Sequence, residues 1–338
     1  MAYRGSGASS FAFDAATSSS LAFLNAQLEL ASTTLVKPLS SMTHPRDITV
    51  EFGGGMPDYL TAYASDFAST GGNQYGLQGT NTTDIPMVQV NIAKGVWNTW
   101  IWGVGFLITN VDLKKLQTAA SSGQPAPFSL QSMLEDGVTL VWNKAMEVVT
   151  YNGWLGQPGL VNNPVVTSSL AAATGTGSSR LWSAKTPAQI QFDINFGLSQ
   201  AVSQAVYAND AYPDSLLVDY NVYNQLFQPM VLGGVGGFES VGRYVEANNI
   251  ARASGVDFKI KPLANPWIST QGAGATSRGV FYRNNSNNVV IRAPQPPQKV
   301  FTVPSTKDGG SYETLFNGCI GQVQFKRNQS FYYLDGIG

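Results

Sequence analysis

The sequence predicts an α+β fold on three observations. Apolar residues recur at three- and four-residue steps over Ser129–Tyr151 and again after Thr186, the spacing of helices with one buried face. Shorter runs alternate apolar with polar residues, as half-buried strands do: Ile48, Val50 and Phe52; Met87 to Ile92; Val256, Phe258 and Ile260. The two kinds of segment are mixed without regular strand–helix–strand alternation, so a doubly wound parallel sheet is not expected. At 338 residues the chain is long enough for about two domains.

Residues 1–47 form a Ser-, Thr- and Ala-rich arm, with a helix expected at Ser20–Leu30, where Leu21, Leu24 and Leu28 share a face. So polar a terminus carries few folding instructions and gains order by lying on something else. His44, before Pro45 near the end of the arm, reads as a plain loop residue. The strand Ile48–Phe52 is broken by Gly53, Gly54 and Gly55, and a polar excursion, Ser69–Thr83, precedes the alternating run from Met87. Two strands joined by that loop predict an extended two-stranded arm over 48–92. Further on, Trp100, Trp102, Val104 and Phe106 fall on one face and Ile101 on the other, which reads as a strand packed into a core or an intersubunit contact.

Thr109-Asn110-Val111-Asp112 has the form of a capping box, with Asp in place of Glu, and opens a short helix through Ala120. The strongest helix, Ser129–Tyr151, carries Leu130, Met133, Leu134, Val138, Val141, Ala145, Val148 and Val149 on its stripe and stops at Asn152-Gly153. At ~1.5 Å per residue it is ~34 Å long, and its single apolar stripe suits packing against a sheet. Gln157–Gly177 reads as loop. Thr186, Pro187 and Gln189 start a second helix with Ile190, Ile194, Leu198, Ala201, Val202, Ala205 and Val206 on its stripe. Pro213-Asp214 turns into Leu216–Val218, an apolar run typical of a buried strand, and Asp219 can cap a helix over Tyr220–Phe227. The strand at Val256–Ile260 is expected to stop at Pro262. Two late hairpins are expected, Gly279–Tyr282 with Val289–Ile291 and Ile320–Phe325 with Phe331–Leu334.

Charge narrows the function. Lys and Arg number 20 and Asp and Glu 21, a net charge of -1, and charged residues make up only 12% of the chain, against ~25% in ordinary soluble proteins. A hydrophobic content of 43% excludes charge-driven disorder. Without a basic surplus there is no electrostatic case for sequence-independent nucleic-acid binding. The surface is polar mainly through Ser, Thr, Asn and Gln, whereas monomers usually keep more charge, so much of it is expected to face other chains. The lone cysteine, Cys319, cannot form an internal disulfide and reads as a small buried hydrophobe. One His and one Cys remove most routes to zinc, copper or non-haem iron. The N-terminal MAYRGSGASSFAF has no apolar core of signal-peptide length, and no stretch approaches the ~20 apolar residues of a membrane span. The chain reads as made in a reducing cytoplasm, with no membrane partner.

No candidate for chemistry survives inspection. Gly233-Gly234-Val235-Gly236-Gly237 lacks the preceding strand and the acidic residue that a dinucleotide site needs, and reads as a flexible loop. The carboxylate pairs Asp210/Asp214, Glu135/Asp136 and Glu239/Glu246 sit in no distinctive frame, and the second is first-turn charge on a helix. Trp97, Trp100, Trp102 and Phe106 show no arginine interleaving of the kind that binds single strands. No catalytic, cofactor-binding or metal residue is assigned, and no enzymatic activity or cofactor is expected.

The order of parts resembles the major capsid proteins of tailed bacteriophages, the Hong Kong ninety-seven type fold shared with encapsulins. Local phrases carry the resemblance: Asp84-Ile85-Pro86-Met87-Val88-Gln89-Val90 after the loop, Trp102-Gly103-Val104-Gly105-Phe106 with Thr109 and Leu113, Gly159-Leu160-Val161-Asn162-Asn163-Pro164 after the long helix, Ser215-Leu216-Leu217-Val218 before Tyr223-Asn224-Gln225-Leu226, and Tyr333-Leu334-Asp335-Gly336-Ile337 at the end. The resemblance implies an N-terminal arm (1–47), an extended β-hairpin loop (48–92), a peripheral domain with the spine helix (93–180), an apical domain (181–300) and a return to the peripheral domain (301–338).

It further implies self-assembly as hexamers and pentamers into an icosahedral head around double-stranded DNA in the host cytoplasm. Decoration, portal and scaffolding proteins would be partners, and DNA would lie on the inner face without sequence specificity. A charge-poor surface agrees, because the buried centres of subunit contacts are depleted in charge. Near-neutrality also suits a container, since a strongly basic wall would hold packaged DNA too tightly. Some relatives weld subunits through a Lys–Asn bond with the Lys in the β-loop. Here no Lys occurs between Thr49 and Val90, and Lys94 lies beyond the tip, so non-covalent contacts or a decoration protein are expected instead. With the chain starting at Met1, no cleaved N-terminal scaffold domain is expected. Two other readings stay open: an encapsulin-like shell around a cargo enzyme, and a soluble β-rich carbohydrate-binding protein.

Overall fold

The spine helix forms at Leu130–Tyr151, but it turns a different face to the core than its stripe suggested. The computed structural model describes residues 42–70, 87–114, 130–204, 212–232, 235–305 and 310–338. The expected helices at Ser20–Leu30 and beyond Lys114, and the stripe residues Ala205 and Val206, lie outside the described residues. On the spine helix the buried row is Val138, Trp142, Met146 and Val149, while Met133 and Val141 are exposed. The bulkier pair decides the rotation. Trp142 and Met146 remove more apolar area from water than Val141 and Ala145 could, and Trp142 meets Trp102 edge-on, with ring centroids 5.2 Å apart.

Past the spine helix the chain folds back on it. The Gly153 N–H donates to Val148 O at 3.1 Å, and φ there is +74°. A Cβ at this position would stand 1.9 Å from Gln157 O, so the expected stop holds for steric as well as conformational reasons. The Asn162 side chain then ties the turn, accepting from the Gly159 N–H at 2.7 Å and donating to Asn152 O at 2.9 Å.

A five-stranded sheet lies at the centre, in the order β4 (Ser168–Leu170), β14 (Phe331–Asp335), β9 (Arg278–Tyr282), β5 (Ser215–Asp219), β8 (Lys259–Leu263). Every residue of β5 and β14 is buried. The reason is that both faces are covered, which explains the uninterrupted apolar runs. Leu217, Val280, Tyr282, Phe331 and Tyr333 join the cluster beneath the spine helix. Their neighbours Leu216, Val218, Phe281, Tyr332 and Leu334 join a second cluster with Ile190, Ile194 and Leu198 of the helix Pro187–Ser203. That helix starts as expected, with Gln189 Oε1 accepting the Thr186 N–H at 2.8 Å. Gly197 lets it ride close over the sheet, since a Cβ there would come within 2.4 Å of the Phe281 ring. A buried ion pair, Lys185 with Asp193, secures its first turns, and the Trp182 indole N–H donates to the same carboxylate at 3.0 Å. Asp219 also caps as expected, accepting the Asn221 N–H at 2.8 Å.

Strand pairing departs from the local reading. Both late hairpins are absent, although all four strands exist. β9 pairs with β5 and β14, whereas β10 (Val289–Ala293) pairs with β1 (Val50–Phe52) and β13 (Val323–Phe325) in a separate three-stranded sheet. The turns at Asn284–Asn288 and Asn328–Ser330 therefore carry the chain from one sheet to another instead of closing a hairpin. Pro262 stands inside β8, which begins at Lys259 and not at Val256. β8 is an edge strand, and an edge tolerates a residue without an N–H. The glycine run at 233–237 is no flexible loop on its described side: Val235, Gly236 and Gly237 lie in β7 (Val235–Ser240), paired with β6 (Pro229–Leu232).

The fourth sheet is long: β11 (Gln295–Ser305), β12 (Ser311–Gly321), β3 (Met87–Ile108) and β2 (Tyr59–Thr70), in that order. The extended hairpin exists, but its first strand is Tyr59–Thr70, because Val50–Phe52 is taken by β10. β11 was hidden in the sequence by Pro296, Pro297 and Pro304, and it too is an edge strand.

Candidate functional site

Chemistry-bearing side chains are engaged in holding the fold. Asp214 accepts the Asn284 N–H at 2.9 Å and faces Arg283 at 3.6 Å, and Glu246 accepts the Ile260 N–H at 2.9 Å. Glu135, which with Asp136 stands on the second turn of the spine helix and not the first, accepts from the Gln131 side chain at 3.0 Å. Asp210 lies outside the described residues. Cys319 is buried on β12 opposite Ile101, and burial pushes its thiol up, away from reactivity. Thr109 caps the expected helix start, its Oγ1 accepting the Asp112 N–H at 3.2 Å, but the Asp112 carboxylate accepts the Thr109 hydroxyl at 2.6 Å in place of the backbone N–H, so the box is half formed. Arg278 grips Asp335 with two nitrogens at 2.7 and 3.1 Å, donates to Val161 O and stacks 4.4 Å over the Tyr333 ring.

His44 corrects its sequence reading. It opens a short helical turn, His44–Asp47, is buried, and sits with Nδ1 3.4 Å from Glu147 Oε1. The turn is held from three sides. Glu147 of the spine helix accepts from the N–H groups of Thr43 and His44. Tyr151 donates to Asp47 Oδ2 at 2.7 Å, and Tyr282 of β9 donates to Asp47 O at 2.5 Å. Arg46 reaches Pro262 O at 2.8 Å. Burial raises both tyrosines, with the Asp47 charge adding to it. Sequence reading missed this cluster because its partners lie 103 or more residues apart.

The most informative surface is the long sheet. Trp100, Trp102, Val104 and Phe106 share one face of β3, as expected, and pack on the spine helix and on Phe316 of β12. The same alternation continues towards the tip as Val88, Val90 and Ile92, where the register with β2 is unbroken. No element of the described chain covers it there: Val88 is 70% exposed and Ile92 71%. On the opposite face Ile101 is 76% exposed. Beside it, a groove of about 480 Å³ lies between β3 and the spine helix, lined by Trp100, Trp102, Val141, Lys144, Val148 and Trp154. Towards its tip the strand alternates apolar residues with no described element to receive them, which leaves an exposed apolar face.

Among the described residues no three His, Cys, Asp or Glu side chains come together as a metal site, and no helix is long and apolar enough to cross a membrane. The sequence matches a family model described as major capsid protein over residues 74–337. Compared with curated proteins it finds no match. The fold is similar to a chain in the capsid of Myoviridae phage XM1, with a TM-score of 0.69 and 15% identity, covering 92% of this chain and 98% of that one. It is also similar to a chain of Microbacterium phage Oxtober96, with a TM-score of 0.60, 11% identity and coverage of 96% and 99%. For the capsid of a native GTA particle the TM-score is 0.57 at 10% identity, covering 92% and 95%.

Proposed function

The chain belongs to the major capsid protein family, and from that premise we propose that its copies close, as hexamers and pentamers, into the icosahedral head that encloses the double-stranded DNA of a tailed phage. Its fold is the phage capsid fold, its place is the virion capsid, and the family is a structural rather than an enzyme family. The observation that carries the assembly reading is the uncovered half of β3, where Val88, Val90 and Ile92 extend a core-type alternation into solvent. A surface with only 12% charged residues in the chain suits broad subunit contacts.

In this reading 1–47 is the arm and 48–92 the β-loop, of which the arm ahead of the clamped turn and the hairpin beyond Tyr59 lie on neighbours, while 93–180 with 301–338 form the peripheral domain and 181–300 the apical domain. The two core clusters lie on opposite faces of the five-stranded sheet and each draws residues from both stretches, so the division rests on the order of the parts along the chain. Contacts between copies are non-covalent, since the β-loop has no Lys before Lys94, which sits exposed on β3 opposite Tyr63. Assembly takes place in the host cytoplasm, with portal, scaffolding and decoration proteins as further partners and no catalysis by this chain.

Size-exclusion chromatography with negative-stain imaging tests this. The expected result is closed shells, with nuclease-protected DNA in particles from infected cells. A 36.1 kDa monomer that never forms rings or shells overturns it. Shells filled with a protein cargo and no DNA would move the reading to an encapsulin-like container.

A further inference from the structure

We propose that Glu147 is the positioning residue that sets where the N-terminal arm leaves the body, and that this hold opens when its carboxylate takes up a proton. Two backbone donors at the end of the arm converge on this one side chain, the Thr43 N–H and the His44 N–H at 2.9 Å, while the Thr43 hydroxyl lies 2.8 Å from the Tyr151 hydroxyl. Glu147 is only 5% exposed and rides on the last turns of the spine helix, so neither water nor a backbone shift readily replaces it. The N–H groups at the start of a helical turn have no partner within the turn. A carboxylate satisfies them with charge-assisted hydrogen bonds, roughly twice as strong as neutral ones.

The neighbouring charges do a different job. His44 Nδ1 faces Glu147 at 3.4 Å, and Tyr151 lies one helical turn further on. Asp47 is already occupied by Arg46, through two nitrogens at 2.6 and 2.9 Å, and by Tyr151. Outside them, Lys261 donates to Arg46 O at 3.3 Å, Tyr282 donates to Asp47 O, and the Asp214 charge acts on both Lys261 and Tyr282. Asp47 therefore ties the turn to the spine helix and the five-stranded sheet, while Glu147, helped by Tyr151 at the Thr43 hydroxyl, holds the backbone on the side from which the arm departs. Burial by itself would push the Glu147 carboxyl up. The hydrogen bonds from His44 and Thr43 outweigh it and leave the group below the ordinary value of 4.5. A carboxylate depressed in the folded state stabilises above its unfolded value, and that stabilisation is lost as pH falls through the folded one. Release is thus an event below pH 4.5.

The name arm rests on the assembly reading, but the hold is a property of one chain and is testable whether or not shells form. The measurement is amide hydrogen-exchange protection of the full chain from pH 7 to pH 3, followed in peptides covering 42–48 and, as a core reference, 331–335. Glu147→Gln is expected to lower protection of 42–48 at pH 7 roughly ten- to a hundredfold, leaving 331–335 unchanged. Wild-type protection of 42–48 falls to the variant's level below pH 4.5. Equal protection in the two proteins at every pH overturns the proposal, as does a wild-type loss at 42–48 that occurs only together with loss at 331–335. If the variant does not fold, the wild-type profile decides by the second criterion. Absence of particles would sink the assembly reading without touching either profile.

Discussion

In the five-stranded sheet every residue of β5 and β14 is buried, whereas in the long four-stranded sheet the first eight residues of β3 are all exposed. Charge does not separate them, since neither Leu216-Leu217-Val218 nor Val88-Gln89-Val90-Asn91-Ile92 carries any, but the first is an unbroken apolar run and the second alternates with Gln and Asn. The difference is what lies on their faces. The first sheet has its own clusters above and below, so it is stable within one chain. Among the described residues the second is packed over only one half of one face, at Trp102 and Trp142, and its far half is left uncovered. In the assembly reading, one molecule therefore holds a region that folds by itself and a region completed by its neighbours.

The largest effect is expected where the self-sufficient sheet is broken. Phe281→Ala removes a fully buried ring between Tyr332 and Gly197 and is expected to cost about 3–5 kcal/mol. Urea unfolding of the unassembled subunit would show it, and a shift within ~0.5 kcal/mol would contradict a core built around this sheet. A smaller effect is expected at the junction. Trp102→Ala removes the edge contact with Trp142 from a half-buried position, at about 2 kcal/mol in the same experiment. It should also raise the proteolytic sensitivity of β3 more than that of β14, and an equal rise in both would mean the long sheet is not a separate unit. The smallest effect on the subunit is expected at the uncovered tip. Ile92→Asp changes a side chain that touches solvent and is expected to alter unfolding by less than ~0.5 kcal/mol. Yet it places a charge in the proposed contact, and sedimentation should show loss of shells. Full shell yield from this variant would separate the exposed face from assembly.

Some of this was legible locally. The bounds of the spine helix, the stop at Gly153, the start at Thr186, the Asp219 cap and the alternation from Trp100 to Phe106 depend on residues within a few positions of one another, and all appear as read. The proposed assembly surface was half legible, in the alternation from Val88 to Ile92 but not in its exposure. The clamp on residues 43–47 was invisible, because His44 looks like any loop histidine until Glu147, from the far end of another helix, is placed beside it.

The sequence by itself determined where the capped helices begin and end, since caps, glycines and apolar period act over one or two turns, whereas the strand starts at Tyr59, Lys259 and Gln295 escaped it. It also determined that little charge would cover the surface. Only the tertiary structure decided which strands meet, sending β9 and β10 to different sheets, and which face of the spine helix is inside, choosing Trp142 over Val141. The physical reason is that pairing and burial depend on the best use of area among residues tens to hundreds of positions apart, and no local pattern encodes that competition.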